Sequence, residues 1–245
     1  MTVNSPIYKN SLKELKKIGS NKNKKESLWV QKYLGSNKTY NCTKTGDIQK
    51  LARKIIKENN PDIKELENLL DSLYKNAKTF EEIDLAARLL GVSPKLRQQI
   101  SPNKLDYWLN FTHGWAETDV LCQSNFTSDE LLSNWNTWKK LLIKFSKDKN
   151  VHKRRASLVL LTKSVGMSDD KRLSDLAFKN TDLLKEEKDI LITKAISWIL
   201  RSLIKNHKKE VANYLKKNKD RLPKIAVREV TNKLLTGTKN KKVKK

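Results

Sequence analysis

The chain has 245 residues with 37% apolar content, enough for a real core, and its 52 Lys and Arg against 27 Asp and Glu give a net charge of +25, the footprint of a protein that binds nucleic acid. No apolar run approaches the roughly eighteen residues of a membrane span, and no apolar signal segment opens the chain. With only two Cys and three His, neither a disulfide framework nor a zinc site is expected, so the reading is a cytoplasmic protein with no metal and no cofactor.

The charge is unevenly placed. Residues 1–57 hold 14 basic and 3 acidic side chains (net +11), residues 201–245 hold 16 and 3 (net +13), and the 143 residues between them are nearly neutral at +1. Residues 1–25 therefore read as a basic, flexible N-terminal segment, 26–237 as the folded domain and 238–245 as a solvated basic tail.

Glycine and proline are scarce, and the apolar periodicity is helical almost throughout. Ile48, Leu51, Ala52, Ile55 and Ile56 mark an amphipathic helix, entered with Asp47 as its N-cap. Asn60-Pro61-Asp62 breaks the chain before a stripe of Ile63, Leu66, Leu69, Leu70 and Leu73. Thr79, with Glu82 three residues on, opens a helix running to Gly91 as a capping box. Further helical stretches are expected at 103–111, 115–123, 128–147, 151–165, 171–182, 187–206, 208–218 and 223–235. Helix following helix, with no strand alternation, predicts an all-α protein, either an α-solenoid or an irregular bundle.

Three groups of residues are candidates for chemistry. Trp115 and Asp119 stand four apart, so a helix places indole and carboxylate on one face; Glu117 falls on the opposite side and is expected in solvent. No Ser, Cys or His accompanies the pair to form a nucleophilic triad, and no second carboxylate shares its face for a two-acid scheme. One carboxylate suffices where the leaving group is already cationic, as in an N-alkylated purine. An anion then stabilises the oxocarbenium character of the sugar and orients a water. A structural Asp, capping or facing solvent, is the alternative. The second group is the run His152-Lys153-Arg154-Arg155, cations at a helix start, where they oppose the dipole and invite an anionic partner; Lys224 and Arg228 repeat the pattern at i, i+4. The third is Trp198, which lies off the buried stripe of Ile192, Ala195, Ile196, Ile199 and Leu203 and in a row with Lys194, Arg201 and Lys205. It is either a tryptophan at the core margin or an aromatic set against a sugar or base.

Trp115-x-x-x-Asp119, Arg154-Arg155-Ala156-Ser157-Leu158, the block Ile192 to Arg201 around Trp198, and Tyr33-Leu34-Gly35-Ser36-Asn37-Lys38-Thr39-Tyr40 together resemble the DNA alkylation repair family of HEAT-like-repeat glycosylases, from about residue 26 to 235. The resemblance implies an α-α superhelix, a HEAT-like repeat solenoid whose concave basic face grips double-stranded DNA containing alkylated bases. Such enzymes remove 7-alkylguanine and 3-alkyladenine by cutting the N-glycosidic bond, in base excision repair, and need not extrude the base. Asp119 matches the family's catalytic carboxylate, Trp115 and Trp198 match two aromatics that pack against the lesion's sugar and backbone, and Arg155 matches an arginine on the DNA backbone. Arg154, Lys194, Arg201, Lys205, Lys224 and Arg228 are the further expected DNA-binding cations, and the protein is expected to act as a monomer. Gly114 departs from the pattern, standing where family members often carry a bulky residue. The alternatives are a non-catalytic HEAT-like relative that binds damaged or branched DNA, and a helical scaffold for RNA or an acidic protein.

Overall fold

The computed structural model describes residues 5–19, 24–123 and 125–240 of the chain. Among these residues the architecture is all-α: fourteen α-helices and one 3-10 turn, with a single isolated β-bridge between Thr39 and Thr79. The helices group into two compact units, residues 1–125 and 126–245.

The first unit contains α1 (Pro6–Ile18), α2 (Lys24–Leu34), α3 (Thr45–Asn59), α4 (Ile63–Asn76), α5 (Phe80–Val92), α6 (Pro94–Arg97), α7 (Lys104–Trp108), the 3-10 turn Leu109–Phe111 and α8 (Gly114–Cys122). Its centre is α5, which touches α3, α4 and α8. Leu66, Leu70 and Leu73 of α4 and Ile83, Leu85, Leu89 and Leu90 of α5 are fully buried, each contributing about 1.5–3 kcal/mol by leaving water. The break at 60–62 follows from local chemistry. Asn60 takes the left-handed conformation (φ 40°), and Asp62 forms a capping box with Glu65. Thr79 caps α5 by accepting from the Glu82 amide at 3.4 Å, as expected, but the expected capping box is not closed. The Glu82 carboxylate accepts from the Lys78 amide and the Thr79 hydroxyl, each at 3.1 Å, and not from the Thr79 amide.

Three expectations change. Residues 6–18, read as part of a flexible N-terminal segment, form α1, whose Tyr8, Ser11 and Leu15 are buried against the first unit. The stripe there is only three residues wide among many lysines, too sparse to stand out by periodicity. Asp47 is not the N-cap of α3. The helix begins at Thr45, after Lys44, and Asp47 lies in its first turn, where its charge complements the positive end of the dipole. The stretch 128–147 is two helices, α9 (Ser128–Ser133) and α10 (Trp135–Ser146), because Asn134 adopts a non-helical conformation (φ −122°, ψ 44°). The expected tail, 238–245, lies outside the described residues from 241 onward.

The second unit adds α11 (Val151–Met167), α12 (Lys171–Leu184), α13 (Ile190–Asn218) and α14 (Lys224–Thr236). At its hub, α11 is enclosed by α10, α12 and α13, so polar side chains on its buried faces must find partners. Ser157 and Thr162 donate to carbonyls three residues back, and Asn180 of α12 donates to the carbonyls of Leu142 and Ser157. His207 has non-helical dihedrals inside α13, so the stretches 187–206 and 208–218 meet at a kink. No helix among the described residues is long and apolar enough to cross a membrane. Nor does any group of three or more His, Cys, Asp or Glu among them form a metal-holding cluster.

Candidate nucleic-acid interface

In the first unit, α8 carries both Trp115 and Asp119. Asp119 is 9% exposed, set into the surface rather than projecting from it, and Trp115 is partly exposed. What holds Trp115 is α2: its indole Nε1–H donates to the Tyr33 carbonyl at 2.8 Å. The two rings meet edge to face, with centroids 5.5 Å apart and planes at 82°. Tyr33 in turn lies parallel to Trp29 at 5.7 Å. Trp29 and Tyr33 are 67% and 61% exposed, so three aromatic rings form a ladder on the surface of this unit. The signal in the sequence was Trp29, Lys32 and Tyr33 at i, i+3, i+4, an aromatic and cationic face with no core to cover.

Gly114 makes this contact possible. Its φ is +70°, and a Cβ there would stand 2.4 Å from the Gly35 carbonyl oxygen and 2.5 Å from that of Leu34. Only glycine fits both the left-handed conformation and the close approach. The departure from the family pattern at Gly114 is thus matched to the way the end of α2 rests on α8.

Glu117 corrects an expectation. It is fully buried, not solvated. Lys38 Nζ pairs with its Oε2 at 2.7 Å, the His113 amide donates to the same oxygen at 2.9 Å, and the Ser36 hydroxyl donates to Oε1. Lys38 Nζ also donates to the Phe111 carbonyl at 2.8 Å. The Ser36 and Lys38 contacts tie the 36–38 loop to the start of α8 and the segment leading into it. His113 is the exposed N-cap of α8, with no capping bond from its side chain.

In the second unit, Trp198 is partly exposed on α13, and Lys194 and Lys205 of its row are exposed. Arg201 is half-buried and committed. Its Nε donates to Ser197 Oγ at 3.2 Å and lies 3.3 Å from Glu229 Oε2 on α14. Burial pulls this guanidinium below its usual pKa, and Glu229 opposes the shift. Lys233 donates to the Arg201 carbonyl at 2.8 Å; burial, then the Arg201 charge, lower its pKa as well. Lys224 is exposed and Arg228 is 69% exposed, so both face solvent on α14.

The cations at the start of α11 find partners within the chain. Arg154 Nη1 donates to the carbonyls of Asp148 and Lys149, and Nη2 to Glu187 Oε2 at 3.1 Å. Arg155 is only 4% exposed and donates to the Leu191 carbonyl, fastening α11 to the first turn of α13. The anion invited by this helix start is supplied locally by Asp148, which lies 3.9 Å from Lys153, and by the carbonyls of Asp148 and Lys149, and from more than thirty residues away by Glu187 and the Leu191 carbonyl.

An all-α chain of this charge, with an exposed aromatic ladder beside a recessed carboxylate and free cations along one helix, belongs to the class that handles nucleic acid. A family described as DNA alkylation repair enzyme matches residues 12–234, and the chain belongs to that family. Its role is therefore in the repair of alkylated DNA. A solved structure described as a predicted DNA alkylation repair enzyme from Enterococcus faecalis shares the fold, with a TM-score of 0.71 at 20% identity over 88% of this chain and 98% of that one. No curated protein matches the sequence.

Proposed function

We propose that the protein is a DNA glycosylase that excises cationic N-alkylated purines, 7-alkylguanine and 3-alkyladenine, from duplex DNA. The observation that carries this reading is the composition of α8. It offers one carboxylate, Asp119, beside an aromatic held in place by hydrogen bond and ring contact, while its other acid, Glu117, is neutralised by Lys38.

A lone carboxylate defines what chemistry is within reach. The alkylated purine carries a positive charge, so the electron pair of the C1′–N bond neutralises it as it leaves, and no general acid is required. The sugar becomes oxocarbenium-like, and Asp119 stabilises that charge and orients the water that adds to C1′. Trp115 packs beside the sugar, and Trp198, with exposed Lys194 and Lys205, lies along the strand. Arg155 acts here as a positioning residue, holding the start of the helix that bears Trp198. Phosphate neutralisation by the free cations supplies most of the affinity.

The test is release of free base from duplexes that carry either 7-methylguanine or the neutral lesion O6-methylguanine, read by mass spectrometry. Release of the cationic base alone is expected. Tight binding of both duplexes with release of neither would instead make this a damage-binding protein.

A further inference from the structure

The outward face of α2 covers no core. Leu28, Trp29 and Tyr33 are 67%, 67% and 61% exposed, and Lys32 among them is exposed as well. Large apolar side chains kept together in water mark an interaction surface. Charge narrows what this surface meets. Residues 27–46 contain Lys32, Lys38 and Lys44 and no acidic side chain, within a stretch, 1–57, that holds 14 basic and 3 acidic residues. The matching partner is an anion that also presents flat apolar area, which describes a nucleic-acid strand.

Ring geometry narrows it further. Trp29 and Tyr33 stand one turn apart with centroids 5.7 Å apart and planes within 2° of parallel. A base slotted between two rings needs about 7 Å, twice the rise of a stacked strand. The pair is therefore closed to a base, and Trp29, as the end of the ladder, offers only its own outer surface. Its support is set in advance. Tyr33 meets Trp115 edge to face, and its carbonyl accepts the Trp115 indole N–H at 2.8 Å, so little freedom is left to lose on binding. The ladder also runs without a break from Trp29 to α8, the helix that carries Asp119.

We propose that Trp29 is a stacking plate for an unpaired nucleobase of the DNA, with Lys32 holding the adjoining phosphate. In an intact duplex each base is covered on both faces by its neighbours, so an outward indole meets only sugars there. A base that has lost its partner exposes a whole π-face, and stacking on an aromatic side chain stabilises it whatever its identity. Excision makes such a base, because the nucleotide opposite a departed purine has nothing to pair with. The proposal rests on the reading that this protein acts on duplex DNA, and it deepens that reading by naming the state of the DNA that α2 prefers.

The experiment compares two duplexes, one fully paired and one with a single unpaired 2-aminopurine, by fluorescence anisotropy and by quenching of the 2-aminopurine. The wild type is expected to prefer the second duplex and to quench its fluorophore. Trp29→Ala should lose about tenfold in affinity for the unpaired duplex, together with the quench, and less for the paired one. Trp29→Phe, which keeps a plate, should retain most of both. Lys32→Ala should reduce the salt slope of affinity for either duplex by about 0.9. A Trp29→Ala variant that keeps the preference and the quench, or that loses equally on both duplexes, overturns the proposal. So does sedimentation showing self-association that Trp29→Ala abolishes with the DNA preference untouched, since a second copy would then cover this face. Excision is read separately: release of 7-methylguanine with no preference for the unpaired base ends this proposal alone, and the preference without release ends the glycosylase reading alone.

Discussion

Trp115 donates its indole N–H to the carbonyl of Tyr33 at 2.8 Å while the two rings meet edge to face. The aromatic beside Asp119 is therefore positioned by a residue 82 places earlier in the chain, and the whole contact depends on two backbones meeting at Gly35 and Gly114.

Gly114→Ala should separate α2 from α8. The left-handed conformation alone costs a non-glycine residue about 1–2 kcal/mol, and the 2.4 Å approach to the Gly35 carbonyl adds a clash with backbone that cannot yield cheaply. Expected are a lower unfolding midpoint and a red-shifted tryptophan emission as Trp115 loses Tyr33. An unshifted spectrum with full stability would mean that the contact does not hold Trp115.

Glu117→Gln leaves Lys38 buried with no counter-charge, and breaking such a pair from one side costs about 3–5 kcal/mol. The double variant Lys38→Met/Glu117→Gln should recover much of that loss, because removing both charges removes the uncompensated one. Additive losses in a denaturation cycle would show that the two side chains act independently.

Salt dependence separates the cations of the second unit. Lys194→Ala and Lys205→Ala remove exposed charges; each should reduce the salt slope of duplex affinity by about 0.9 if it meets a phosphate, with stability unchanged. Arg155→Met removes a buried donor to the Leu191 carbonyl and should cost about 1–3 kcal/mol of stability with the slope intact. The reverse pattern would return Arg155 to the DNA surface.

Glu81 gives a pH signature. It is fully buried, accepts from the amides of Asn41 and Thr43, and leaves Oε2 without a partner. Burial raises its pKa above the ordinary 4.5, with the backbone hydrogen bonds opposing. The folded state thus holds this proton more tightly than the unfolded state. The associated stability is fully present below about 4.5 and is lost as pH rises through the raised value. Glu81→Gln removes that titration, so its stability should fall less than the wild type's between mildly acidic and neutral pH. An equal fall in both would exclude Glu81 as the source.

How much of this was legible depended on the distance between partners. The stripe of α4 and the Thr79 cap of α5 are local, and both stand where spacing put them. The all-α reading and the family resemblance held for the same reason, since each motif lies within one short block. Glu117 could not be read locally, because its partners Ser36 and Lys38 are about eighty residues away. Arg154 and Arg155 looked like free cations because Glu187 and the Leu191 carbonyl reach them only through packing. Helix α1 escaped notice because three inward residues among lysines make a weak stripe, although docking on α3, α4 and α5 suffices to order it.

The central claim is that one carboxylate, Asp119, performs the bond cleavage because the lesion brings its own positive charge. Single-turnover release of 7-methylguanine from duplex DNA, wild type against Asp119→Asn at matched saturation, tests it most directly. The account predicts a rate reduced by at least about 10²-fold, with duplex affinity within a few-fold of the wild type. An Asp119→Asn variant that releases the base at the wild-type rate would contradict it.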